Sequence, residues 1–138
     1  MLLYEIKVNY ERQTGEDNPG KVKETYLVEG LNCSDVEGRL VEEIKPFVFG
    51  DLEVSSCKKV QLYDLIENTE GDRWYKARVE MITVEDSGKE TRKTVSILVQ
   101  AKDIEQAFKN LKHALGAVDC EIVGVQRSPI LEVYRAVK

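Results

Sequence analysis

The sequence is poor in the residues that carry most recognised chemistry. It holds one histidine, His113, and one tryptophan, Trp74, among 138 residues. A single histidine cannot build a zinc site without several partners distant in the chain. His113 falls near the end of a predicted helix, where partial positive charge is favourable; a general base is the other reading. The three cysteines, Cys33, Cys57 and Cys120, are odd in number and none stands in a C-x-x-C pair. That argues against a disulfide framework and for three half-buried thiols in a reducing cytosol. No apolar run approaches the roughly 20 residues a membrane helix needs, so no membrane partner is expected. The opening "MLLYEIKVNYERQ" turns charged at Glu5, leaving no apolar core for a signal peptide.

Catalytic motifs are missing as well. The chain has no G-x-G-x-x-G, P-loop, G-x-S-x-G or H-E-x-x-H. No cofactor and no metal site are expected. Glu42 and Glu43 read as a solvated helix face. "GEDNPG" (15–20) gathers oxygen ligands without the spacing of a calcium loop. The net charge of −5 excludes a generally basic nucleic-acid surface, though not a local patch.

What the chain does have is a globular balance, 42% apolar and 33% charged, and an internal echo. "YEIKVNY" (4–10) lies over "YKARVEM" (75–81), and "TYLVEG" (25–30) over "SILVQA" (96–101), at an offset of 71. If Leu31, Asn32 and Cys33 are an insertion, the offset becomes 68. "DVEGRL" (35–40) then meets "DIEQAF" (103–108), and "DLEV" (51–54) meets "DCEI" (119–122). Copy one spans 1–67, a connector 68–73, and copy two 74–138. Convergence of pattern without shared ancestry is the competing account.

Each copy reads strand, strand, helix, strand. Tyr4, Ile6, Val8 and Tyr10 alternate with polar residues, as do Tyr75, Ala77, Val79 and Met81 in the second copy. "TGEDNPGK" (14–21) and "VEDSGKETR" (84–92) read as hairpin loops, with Ser87-Gly88 as a turn. Ser34 followed by Glu37 has capping-box spacing for a helix to about Lys45, which buries Val36, Leu40, Val41 and Ile44. Pro46 ends that helix or tightens its last turn. Asp103 caps the second helix, with stripe Ile104, Ala107, Phe108, Leu111 and Leu115 and Gly116 at its end. Residues 51–67 and 120–136 are extended, with a bulge near Ser55 and Ser56 and a break at Pro129. An isolated half of this size cannot cover both faces of its sheet. The expected fold is therefore α+β: a tandem pseudo-twofold repeat in one domain, 1–138, with antiparallel sheets, two helices and a single shared core.

Two groups of residues are candidates for binding. Lys21 and Lys23 open one return strand, and Arg92 and Lys93 open its counterpart; Lys58 and Lys59 stand near Arg127 in the alignment. These pairs fit two related anionic-ligand sites, or charges that keep strand edges from pairing with other chains. Trp74, Lys76 and Arg78 share one strand face by alternation, and Lys7 occupies the Arg78 position in copy one. If open, that face would stack a base or hold a phosphate. The alternative is a Trp74 packed beneath the connector.

"YLVEGLNCSDVEGRLVEE", "GDRWYKAR" and "ILVQAKDIEQAFKNL" resemble the family catalogued as domain of unknown function 4494, over nearly the entire chain. "GDRWYKA" followed by "ILVQA" is the most specific part. The resemblance implies a small cytosolic protein of Bacteroides-group bacteria, their mobile elements or their phages. It implies no activity and maps no catalytic residue. The leading expectation is a non-enzymatic binding protein with a cytosolic protein partner. A small-ligand binder that sequesters nucleotide-like anions in phage counter-defence is second, and an enzyme third. A homodimer is compatible with either of the first two.

Overall fold

The computed structural model describes residues 2–12 and 20–135. The loop expected at 14–21 lies, up to position 19, outside the described residues, and most of "GEDNPG" with it. The elements run β1 (Leu2–Arg12), β2 (Gly20–Gly30), α1 (Cys33–Ile44), a 3-10 turn (Lys45–Phe47), β3 (Val48–Val60), β4 (Asp64–Ile66), β5 (Arg73–Val84), β6 (Glu90–Ala101), α2 (Ile104–Leu115), β7 (Cys120–Arg127) and β8 (Ile130–Tyr134). The fold is α+β, with two helices and two four-stranded sheets. The chain divides into two compact units: one takes the chain up to Val60 and again from Pro129, the other Gln61–Ser128.

In the first unit the strand order is β3-β1-β2-β8. The β1–β2 hairpin is antiparallel, Leu2 opposite Gly30 and Arg12 opposite Gly20. The period-two pattern of β1 puts Tyr4, Ile6, Val8 and Tyr10 on one buried face, against Val36, Leu40 and Ile44 of α1. Burying each aliphatic side chain there contributes about 1.5–3 kcal/mol. Val41, expected in the stripe, is 37% exposed. β8 closes the sheet in parallel with β2, Leu27 opposite Val133 and Val28 opposite Tyr134.

The second unit has the order β4-β6-β5-β7. β5 and β6 form its antiparallel hairpin, and β4 lies parallel to β6 with Leu65 opposite Leu98. Tyr75, Ala77, Val79, Ile97 and Val99 pack under Ala107, Leu111 and Leu115 of α2. Ile104 and Phe108, expected in that stripe, are 53% and 40% exposed. Gly88 turns the hairpin at φ 86°, and Gly116 follows α2 at φ 56°.

Three expectations are corrected. The sheets are mixed, because β4 and β8 each pair in parallel. Two clusters of buried residues lie one under each helix, and Leu27, Trp74, Leu98 and Ile130 are buried outside both. The cap of α1 is Asn32, not Ser34: its side chain accepts from Asp35 N at 2.9 Å, while Asp35 Oδ2 accepts from Leu31 N. Asp103 caps α2 in the same way, with Gln106 bonding back to Lys102 N. Caps and buried stripes therefore align at 71, Asn32 with Asp103, Val36 with Ala107 and Leu40 with Leu111. The offset changes to 68 not at 31–33 but around the 3-10 turn, between the C-caps Lys45 and Gly116 and the pairs Asn9–Glu53 and Glu80–Glu121. The core-facing phase of α1, set by Val36, Leu40 and Ile44, fixes where that helix must begin.

After that turn the offset of 68 maps one sheet's register onto the other's. Lys7 pairs with Ser56, and the next residue, Val8, skips to Val54; Arg78 pairs with Gly124, and Val79 skips to Ile122. The bulged residues are Ser55, as expected, and Val123. Tyr26 faces Glu132 as Ile97 faces Asp64.

Candidate functional site

The sequence-derived candidates do not converge on one site. Lys76 and Arg78 are exposed on the face of β5 away from α2, and Lys7 is exposed at the matching place on β1. Trp74 shares the β5 face but is only 3% exposed. The largest apolar side chain of the strand has gone inside, as burial of its area favours. An open aromatic platform beside Lys76 and Arg78 is therefore absent.

Lys21 and Lys23 line an open groove of about 630 Å³ at the far end of the first sheet. Glu11, Asp51 and Glu53 line it too, so its cations are outnumbered. The counterpart of Lys21, Arg92, is held by Glu90 and Glu121 at 2.8 Å and by Glu80 at 3.9 Å. These carboxylates raise the guanidinium pKa above its ordinary value, through hydrogen bonds first. Arg92 is thus committed to internal partners, and Lys93 points to the opposite face of β6. All four residues lie on stretches of β2 and β6 that run past the short parallel strand beside them, which pairs only with 25–28 of β2 and 97–99 of β6. Charges on such unpaired stretches fit the edge-protection reading.

Two features escaped the sequence reading. One is a polar hub in the first unit. Glu24 Oε1 accepts from the hydroxyls of Tyr10 and Tyr26, and Oε2 accepts from Arg12 at 3.0 Å. Tyr134 stacks on Tyr26 with ring centroids 5.9 Å apart, and the Arg12 guanidinium lies over Phe47. Burial, then the Glu24 carboxylate, pushes the Tyr10 and Tyr26 pKa values up, so both hydroxyls stay protonated donors. At the matching places the second unit has Met81, Val95, Ile97, Thr83 and Ile66. Glu24 has its carboxylate oxygens engaged, so the hub is built to hold strands together rather than to move a proton.

The other feature is a groove of about 600 Å³ between α2 and β7. Ile104 and Phe108 form its helix wall and Val123 and Gly124 its strand wall. β7 is the outermost strand of its sheet, bonded to β5 alone. Ile104 and Phe108 fit the apolar stripe yet stand exposed, because helical spacing cannot tell a stripe's flank from its centre.

A family model described as Domain of unknown function (DUF4494) matches residues 2–136. The chain belongs to the DUF4494 family. Among curated proteins, none matches this DUF4494 chain. Its described residues hold no cluster of three or more His, Cys, Asp or Glu able to bind a metal, and no helix long and apolar enough to cross a membrane. His113 is exposed in the last turn of α2.

Proposed function

We propose that this is a non-enzymatic interaction protein that receives an extended apolar segment of a partner protein in the groove between α2 and β7. The observation that carries this reading is the free edge of β7 beside exposed Ile104, Phe108 and Val123. An edge strand offers unpaired N–H and C=O groups, which an extended peptide satisfies while alternate side chains enter the apolar wall. The matching places in the first unit are Cys33 and Glu37 on α1 and Ser55 on β3, an edge strand that also carries Asp51, Glu53, Lys58 and Lys59. β3 carries those four charges, whereas β7 carries Glu121 and Arg127 near its ends, with Glu105 and Lys109 on the facing helix. In the mobile-element or phage setting that the resemblance suggests, the partner is a cytosolic protein of host or phage.

The alternative, a sequestered nucleotide-like anion, retains Lys76 and Arg78 as exposed cations but has no open ring at Trp74. The groove reading is tested by selecting random extended peptides on the protein and counter-selecting on Phe108→Asp and Val123→Lys. The reading expects peptides of alternating apolar pattern whose binding both substitutions abolish. Peptides that bind both variants as well as the parent, or a groove occupied only by self-association, would refute it.

A further inference from the structure

The gap between helix start and edge strand, open in the second unit, is closed in the first by two thiols. Cys33 is the first residue of α1, and Cys57 lies on β3 opposite Ile6. The Cys33 Sγ donates to the Cys57 carbonyl at 3.5 Å, and both side chains pack on the same buried cluster. Both are free and half-buried, so a small reagent can reach them. Their counterparts, Ile104 and Val125, line the α2–β7 groove. Cys120 corresponds to Leu52 and has no cysteine near it in the alignment.

We propose that Cys33 and Cys57 are an oxidisable dithiol site, closed to a disulfide by a low-molecular-weight disulfide and reopened by thiols. The Cys33 thiolate attacks one sulfur of the reagent, forming a mixed disulfide and releasing one thiol. Cys57 gives its proton to water and attacks the Cys33 sulfur, forming the Cys33–Cys57 bond and expelling the second thiol. Two protein thiols are oxidised and one reagent disulfide is reduced, so electrons and protons balance. The bond would staple the first turn of α1 to β3. Burial, then the hydrogen bond with Cys33, pushes the Cys57 thiol up to about 12, so closure follows the slow appearance of its thiolate.

The test exposes the native protein to oxidised glutathione and follows intact mass, then maps linked peptides. The expected product has lost two hydrogens, links Cys33 to Cys57 and leaves Cys120 alkylatable. Cys57→Ser should stop at a glutathione adduct on Cys33. Closure should still be accelerating above pH 9, the ordinary thiol value. A stable glutathione adduct on the parent, a link that uses Cys120, or closure no faster at pH 9 than at pH 7 would each overturn the proposal.

Discussion

The two units share one strand order and one helix-capping scheme but differ in what fills them. The first holds a Glu24–Tyr10–Tyr26–Arg12 hub where the second has aliphatic side chains and a threonine. It closes its helix–edge gap with Cys33 and Cys57, where the second leaves an apolar groove. The difference teaches that backbone geometry is set by features common to both, the hairpin, the cap and the bulge, while polar detail varies freely on top. We propose that the shared register reflects duplication, after which each unit took its own specialisation.

A second comparison concerns connectivity. β4 lies at the end of the first half of the chain yet pairs with β6, and β8 lies at the end of the second half yet pairs with β2. Each sheet is thus completed by a strand from the other half of the chain. Cutting the sequence into halves would leave two incomplete sheets.

The largest expected single-residue effect falls on the second unit. Gly71 lies against the backbone of Ala101, so a Cβ there would overlap it. Gly71→Ala should destabilise by about 3 kcal/mol, read from thermal or denaturant unfolding. Gly30, the counterpart of Ala101, meets Val36 Cγ2 at 2.7 Å if given a Cβ. Its alanine variant should cost less, because a side chain can turn aside and a backbone cannot.

Alkaline pH should separate the units next. Tyr10 and Tyr26 are held above their ordinary value of 10.0, by burial first and Glu24 second. The neutral phenols are favoured in the folded state, so their contribution is complete below pH 10 and is lost as pH rises through the folded values. The first unit should therefore loosen above pH 10 before the second, seen by hydrogen exchange. Replacing Tyr10 and Tyr26 together by Phe should move its alkaline transition upward. An unchanged transition would remove the hub from the account.

The smallest effects should be symmetric. Asn32→Ala and Asp103→Ala should each cost about 1 kcal/mol, and Ser34→Ala almost nothing. Unequal caps, or a costly Ser34→Ala, would break the match between helix starts.

Much of this fold was legible locally. Period-two patterns placed β1, β2, β5 and β6, and Asp103 with Gly116 bounded α2. The bulge at Ser55 showed because alternation fails there. Errors arose where two local rules tie. Ser34–Glu37 and Asn32–Asp35 have the same spacing, and only burial of Val36, Leu40 and Ile44 decides between them. The parallel pairing of β4 and β8 left no local trace, because a strand three or five residues long does not encode its partner. The candidate sites were least legible. Alternation gave the face of Trp74 but not its burial, and the Glu24 hub joins side chains from several strands and a turn, with no motif in any of them.

The exchange of strands is the central claim, and a chain ending at Ser128 tests it most directly. It removes β8 while leaving all of copy one and residues 61–128 in place. Amide hydrogen exchange should show protection lost at Thr25–Val28 of β2 and in α1, about a hundred residues from the cut, with Ile97–Val99 of β6 still protected. Loss confined to β5, β6 and β7, the elements nearest the cut in sequence, would contradict it.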